Sequence, residues 1–214
     1  MKDWVGNGNS VFKTLGASNH AKVMREQDDF YATSPKAIDA LLEYEDICLP
    51  HEIWEPSCGT GCLSKRLIEH GFTVLSSDLV DRGFGKGGVN FFEEDHMPEN
   101  VNCILTNPPY KFATQYVTHA LSLLHEGGVL CLFLKTTFAE GQDRYRKIFA
   151  ITPPRFILQC TERILCAPNA DFSKTQSSAV SYAWWVWEKG WKGKTTFDWI
   201  NHKKVQNIVQ LKLY

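Results

Sequence analysis

The segment Asn107-Pro108-Pro109-Tyr110 combines residue types that could hold a planar amino group. Proline fixes its own φ angle and has no backbone N–H, so the carbonyl groups of this turn are left as acceptors. The side-chain oxygen of Asn107 is a further acceptor, and the ring of Tyr110 offers a face on which a nucleobase could stack. Two neighbouring acceptors match the two N–H donors of an exocyclic amine and can turn its lone pair towards an electrophile. Such an alkylation needs no covalent nucleophile from the enzyme.

A second group of residues is typical of a site for an adenosine-containing cofactor. Residues 55–61 read Glu-Pro-Ser-Cys-Gly-Thr-Gly between a predicted strand and a predicted helix. Gly59 and Gly61 have no side chains at the point where the chain turns, so a ligand can approach the backbone and the helix N-terminus. Asp78 lies 23 residues after Glu55, close to the roughly 20-residue interval at which an acidic residue meets ribose hydroxyls.

An alternation of strands and helices must position these groups. Helices are predicted from Ser34 as N-cap, over 62–70 and over 113–124; strands are predicted near 53–54 and over 72–77, 89–92, 101–106, 129–134, 155–160 and 179–187. This order predicts an α/β fold with a Rossmann-like, doubly wound, mostly parallel seven-stranded sheet and an antiparallel last strand pair element. The tryptophans of the last strand are expected to be core residues. The carboxyl ends of the strands should bring Glu55, Asp78, Asp95 and Asn107 to one crevice.

Glycines 83, 85 and 88 also spell a GxGxxG pattern, but no amphipathic helix follows them. They precede the predicted strand over 89–92, so we interpret this stretch as a loop and not as a second phosphate-binding turn.

Length and composition bound the organisation of the chain. With 214 residues, 43% hydrophobic and 22% charged, the sequence predicts one globular domain over 30–214 after a flexible N-terminal arm over 1–29. The apolar run at 129–134 is too short to cross a bilayer and the N-terminus contains no signal sequence, so a cytoplasmic protein without membrane contact is expected. The seven cysteines are scattered and indicate reduced thiols, not a disulfide framework.

Charge is distributed unevenly between the two halves. Residues 1–100 contain 9 Lys+Arg against 17 Asp+Glu, whereas residues 101–214 contain 14 against 7. A basic half of the chain beside an acidic half suits an enzyme that holds nucleic-acid phosphates along one side of a cleft. Lys111, Lys135 and Arg144 follow predicted strand ends and are the candidate contacts with nucleic acid.

Three segments together resemble a known family. They are Phe-Tyr-Ala-Thr-Ser-Pro at 30–35, the glycine-containing turn at 55–61, and Asn-Pro-Pro-Tyr at 107–110. They are similar to the S-adenosylmethionine-dependent amino-methyltransferases, most closely the small phage and prophage type that methylates adenine N6 in DNA. The likeness covers roughly residues 28–188 and includes 135–141, Arg144 and 182–188. The motif order resembles the group that has no recognition domain inserted between the cofactor part and the catalytic part.

The resemblance implies direct in-line transfer of a methyl group from S-adenosylmethionine to the N6 of a flipped adenine, with no metal. The methionine portion of the cofactor would be surrounded by Tyr31, Thr33, Glu55, Ser57, Gly59 and Gly61. Asp78 would bind the ribose and Asp95 the adenine amine of the cofactor. Asn107 and the Pro108 carbonyl would hold the target amine, while Tyr110 stacks on the base.

Alternative functions follow from the same chemistry. RNA adenine N6 and cytosine N4 are also exocyclic amines, and a protein glutamine side chain is another planar amino group. A non-catalytic nucleic-acid-binding relative is a further alternative. Cytosine C5 methylation is not supported because no Pro-Cys pair occurs, and a zinc deaminase is not supported because its H-x-E and P-C-x-x-C elements are missing. The sequence leaves the oligomeric state open, with a monomer favoured.

Overall fold

The computed structural model describes residues 31–168, Phe172 and 180–200. The predicted arm over 1–29 lies outside these residues. Within the described part of the chain, no helix is both long enough and apolar enough to cross a membrane.

The described residues form nine strands. They are β1 Tyr31–Thr33, β2 Glu52–Glu55, β3 Thr73–Ser76, β4 Cys103–Thr106, β5 Val129–Lys135, β6 Phe156–Cys160, β7 Cys166–Pro168, β8 Tyr182–Glu188 and β9 Thr196–Ile200. Seven of them build one sheet in the order β3-β2-β4-β5-β8-β6-β9. Strand β8 is antiparallel to β5 and β6, and the other pairs in this sheet are parallel. The predicted mostly parallel, seven-stranded α/β sheet is confirmed.

The direction in which the chain adds strands to the sheet reverses at β2. The chain crosses from β2 to β3 on one side and then returns to place β4 on the other side, with Trp54 opposite Ile104. Loops that leave the carboxyl ends of β2 and β4 therefore run apart and leave a crevice between them, which is where ligands bind in open α/β sheets.

Helices cover both faces of the sheet. They are α1 Lys36–Leu42, α2 Cys62–Glu69, α3 Ala113–Leu123 and a short α4 Gln142–Arg144 that continues as a π-helical turn over Tyr145–Phe149. One core cluster joins α1 and α2 to the sheet through Ile38, Leu67 and Trp184. The other joins α3 through Val117 and Trp185. Both tryptophans are fully or almost fully buried, so their predicted place in the core is confirmed.

Several local predictions differ from the structure. Residues 89–92 are not a strand: Phe91–Glu93 form a 3-10 turn, because the Asn90 side chain accepts the Phe92 N–H at 3.2 Å and Phe91 is buried against Trp54. The seven-stranded sheet is instead completed by β9, and no strand was predicted over Thr196–Ile200. Helix α1 begins at Lys36 after Pro35, without a side-chain cap from Ser34.

A two-stranded ribbon stands apart from the main sheet. Strands β1 and β7 pair antiparallel, with Thr33 directly opposite Cys166. The Ser34 N–H extends the pairing by donating to the Leu165 carbonyl at 2.9 Å. The sequence interpretation did not include this ribbon, which joins the region before α1 to the region after β6.

Candidate active site

A cavity of about 300 Å³ opens at the carboxyl ends of β2 and β4. This volume is at the lower end of the range of small-molecule sites, about 300 to 1,000 Å³. The predicted site residues that line it are Tyr31, Thr33, Glu55, Ser57, Asp78, Asn107, Pro108, Pro109, Tyr110 and Lys111. The structure therefore brings most of the predicted cofactor residues and the whole 107–110 turn into one cavity.

The glycine turn is held by Asp78. Both Gly59 and Gly61 have positive φ angles, 55° and 79°. The Gly59 N–H donates to Asp78 Oδ2 at 2.8 Å, and the Val80 N–H donates to Asp78 Oδ1 at 2.9 Å. A Cβ on Gly61 would lie 2.3 Å from the ring of Phe84. Gly61 is thus required by the backbone conformation and by the packing of the loop that carries the GxGxxG pattern.

Glu55 is a buried carboxyl group at the edge of this cavity. Its side chain accepts a hydrogen bond from the Ser64 hydroxyl, and Ser64 also lies 2.6 Å from the Ser76 hydroxyl. Burial raises the pKa of Glu55 to about 8, against the smaller opposing effect of the Ser64 bond. At neutral pH the carboxyl group is therefore mostly protonated, and a cation entering the cavity would favour its ionised form.

The Asn107 carboxamide is held by the ribbon. Its Nδ2 donates to Thr33 Oγ1 at 2.7 Å and to the Tyr31 carbonyl at 3.4 Å. A carbonyl oxygen can only accept, so this pair of contacts fixes which end of the amide is the nitrogen. Among the described residues nothing donates to Asn107 Oδ1, although this atom is buried. Leaving a buried acceptor unpaired costs about 1–3 kcal/mol, so the site favours a ligand that brings a donor.

Tyr110 lies among aromatic and basic side chains. Its hydroxyl is 3.8 Å from Cys166 Sγ, and its ring stacks at 6.1 Å on the ring of Tyr182. Lys135 Nζ lies 4.8 Å from the centre of the Tyr110 ring. Burial holds the pKa of Tyr110 well above its usual range, so the phenol is neutral.

Besides the two glycines of the turn, three predicted residues do not line this cavity: Asp95, Lys135 and Arg144. Asp95 does not line the cavity: its side chain is 90% exposed and bonds to His96 at 2.5 Å. Its expected place in the crevice is wrong because the 3-10 turn at 91–93 redirects the chain. Arg144 lines a separate cavity of about 90 Å³ together with Lys135, beside Tyr110, and donates to the Phe138 carbonyl at 2.8 Å.

The sequence interpretation missed Asn90, Phe91 and Phe92, all of which line the main cavity. The sequence did contain a signal for Asn90. Asparagine just before an aromatic pair is a turn-initiating residue, whose side chain competes for backbone N–H groups.

The strand order, the change of direction beside β2 and the helices on both faces define a Rossmann-like α/β fold. No family model and no curated protein sequence matches the chain. Among solved structures it aligns with a protein designated a modification subunit of a type I restriction enzyme from Vibrio vulnificus, at 13% identity and a TM-score of 0.55, over 85% of this chain and 49% of the other. A protein designated a hemolysin from Lactococcus lactis aligns at 11% identity and a TM-score of 0.52, over 76% of this chain and 91% of the other.

A third structure is designated a class I S-adenosylmethionine-dependent methyltransferase from Listeria monocytogenes. It aligns at 16% identity and a TM-score of 0.46, over 69% of this chain and 57% of that one. The chain thus spans about half the length of the Vibrio and Listeria structures. At such low identity the Vibrio and Lactococcus likenesses show the shared fold alone, and the different designations of those two structures agree with that.

Proposed function

We propose that the protein is an S-adenosylmethionine-dependent methyltransferase that transfers a methyl group to the N6 of adenine in DNA. The observation that carries this proposal is Asn107 Oδ1, a buried acceptor with no donor among the described residues. Asn107 lines the cavity that also contains residues of the glycine turn after β2 and Asp78. An acceptor for an amine beside a nucleotide-type crevice is what methylation of an exocyclic amine requires.

The residues of the cavity fit this cofactor. When bound, the cofactor supplies an electrophilic methyl group on a sulfonium. Glu55, buried and mostly protonated, can become the counter-charge of a cationic ligand, because a nearby cation lowers a carboxyl pKa. Asp78 lines the same cavity after β3, where a carboxylate suits ribose hydroxyls. Asp95 has no part in this assignment, since it is exposed outside the cavity.

The chain itself holds and orients the target amine. Asn107 Oδ1 accepts one N–H of the amine and the Pro108 carbonyl accepts the other, which turns the nitrogen lone pair towards the methyl group. The neighbouring Pro109 carbonyl already accepts the Phe112 N–H at 2.9 Å. On methyl transfer the cofactor would leave as a neutral thioether and the methylated amine would release one proton to solvent. Catalysis then depends on positioning and fixed dipoles, not on a strong general base.

Support for a nucleic-acid substrate comes from the surroundings of Tyr110. Stacking on an aromatic ring stabilises a base by about 1–3 kcal/mol, which offsets part of the few kcal/mol that base extrusion costs. Lys135 lies above this ring, and Lys111 lies 4.8 Å from the centre of the Phe112 ring at the cavity. These cations can exchange their ring contacts for phosphates that flank an extruded base. We propose DNA as the nucleic acid because the Vibrio structure is designated a modification subunit of a restriction enzyme, and the test below includes RNA.

The test is incubation of the full chain with unmethylated DNA, RNA and protein in separate reactions with labelled cofactor, followed by mass spectrometry of the digests. We expect N6-methyladenine in the DNA. N4-methylcytosine, or label only in RNA or protein, would overturn the substrate assignment. Absence of transfer to all three, together with absence of cofactor binding by calorimetry, would overturn the proposal that the protein is a methyltransferase.

A further inference from the structure

We infer that the β1–β7 ribbon braces the amine-holding turn, with Thr33 as a positioning residue for Asn107 and Cys166 as its partner at Tyr110. This inference rests on the proposed function and assigns Thr33 a role other than the cofactor contact that the family resemblance implies. It starts from the register of the ribbon, in which Thr33 and Cys166 are directly opposite each other.

The same cross-strand pair touches both ends of the 107–110 turn. Thr33 Oγ1 accepts from Asn107 Nδ2 at 2.7 Å, and Cys166 Sγ lies 3.8 Å from the Tyr110 hydroxyl. Thr33 Oγ1 and Cys166 Sγ are 4.0 Å apart, which closes the chain of contacts. Two short strands that pair with each other thus connect to the first and the last residue of the turn.

The burial of Thr33 allows it to restrict the position of the Asn107 side chain. Its side chain is almost fully buried, and the neighbouring Ala32 is buried as well, so the strand has little room to shift. Burial raises the pKa of Cys166, so its thiol remains neutral beside the Tyr110 phenol. The contacts of the pair are therefore hydrogen-bonding and packing contacts with no net charge.

These contacts determine the direction in which Asn107 Oδ1 points. If the carboxamide rotated by half a turn, its oxygen would face the Tyr31 carbonyl, and two acceptors repel each other. Thr33 alone would permit either orientation because a hydroxyl can donate or accept. The carbonyl excludes the rotated form, while the short bond to Thr33 holds the amide plane. The unpartnered oxygen is thereby kept available for the amine.

The role of Thr33 predicts a split between turnover and cofactor affinity. Removing a single neutral hydrogen bond weakens the orientation of Asn107 by about 1.4 kcal/mol, which corresponds to roughly tenfold in rate. Thr33→Val keeps the branched shape and removes the hydroxyl, whereas Thr33→Ser keeps the hydroxyl and removes the methyl group. We expect kcat to fall about tenfold in the valine variant and to stay within about threefold of wild type in the serine variant. The Kd for S-adenosylmethionine, measured by calorimetry, should change less than twofold in both.

Two kinetic outcomes would overturn the inference. One is a valine variant with the kcat of the wild type. The other is a loss of cofactor affinity as large as the loss of kcat, which would make Thr33 a cofactor contact.

A second measurement on the full chain does not depend on activity. The side-chain amide signals of Asn107 are assigned by their disappearance in the Asn107→Ala variant in ¹⁵N-labelled protein. We expect these protons to exchange slowly with water in the wild type and in Thr33→Ser, and at least about tenfold faster in Thr33→Val. Equal exchange in all three proteins would refute the brace. If the wild type transfers no methyl group, the proposed function fails, and this measurement still decides the inference.

Discussion

The buried carboxyl group of Glu55 predicts a specific pH dependence of stability. Glu55→Gln removes the ionisable group but keeps a side-chain oxygen that can accept the hydrogen bond from Ser64. Because burial raises the pKa of Glu55 from 4.5 to about 8, the folded state holds this proton more tightly than the unfolded chain does. The resulting stabilisation is complete below pH 4.5 and is lost as the pH rises through about 8.

The size of the effect follows from these two pKa values. Between pH 5 and pH 8 the free energy of unfolding of the wild type should fall by about 3 kcal/mol through Glu55 alone. The glutamine variant lacks this contribution. The difference in stability between the two proteins should therefore grow by about 3 kcal/mol in favour of Glu55→Gln over this range.

The assay is urea denaturation of both proteins at pH 5, 6, 7 and 8 without ligand. Glu52→Gln is the matched control, because Glu52 lies on the same strand but its side chain is 47% exposed. We expect its stability difference from wild type to change less with pH than that of Glu55→Gln, because its exposed carboxyl group is paired with the exposed His51 ring and solvent screens such pairs. If the Glu55→Gln and wild-type profiles ran parallel, the carboxyl group would titrate normally and the reasoning from burial would be wrong.

Three further predictions concern the turn and the glycine loop. Asn107→Ala should reduce methyl transfer about 100-fold or more while leaving cofactor affinity within twofold of wild type, as calorimetry can check; equal loss of both would place Asn107 in the cofactor site. Asp78→Ala should weaken cofactor binding about tenfold or more, since it removes the carboxylate and also the acceptor for two backbone N–H groups; unchanged affinity would exclude it from the cofactor site. Gly61→Ala should destabilise the fold by about 1–3 kcal/mol more than Gly71→Ala. Both glycines have a positive φ, but only at Gly61 would the new Cβ meet Phe84, so equal denaturation midpoints would contradict the packing argument.

The central strands and their order along the chain were predictable because their side chains must be apolar on both faces. Residues 129–134 and 182–187 are nearly uninterrupted apolar runs, and the structure buries them as β5 and β8 between two helix layers. The turn at 107–110 was predictable as well, since two prolines restrict the backbone whatever surrounds them.

Other elements depend on contacts that are distant in sequence. The β1–β7 ribbon consists of two three-residue strands, and its Thr33–Cys166 pair is separated by 133 positions. Such short segments have no periodicity of their own. Strand β9 lies at the sheet edge with Phe197 and Trp199 exposed, so its pattern does not indicate a buried strand. Likewise, the 3-10 turn at 91–93 depends on the packing of Phe91 against Trp54, and it leaves Asp95 outside the cavity.

The sequence by itself determined the alternation of strands and helices, the glycine turn and the presence of acceptors at 107–110, because apolar patterning and the backbone limits of proline and glycine act locally. Only the tertiary structure decided what these groups face. The protonated state of Glu55 comes from burial beneath neighbouring elements, and the direction of Asn107 Oδ1 comes from Tyr31 and Thr33 on a strand more than 70 positions away. Electrostatic environment and hydrogen-bond geometry are properties of the assembled fold, and no local pattern in the chain encodes them.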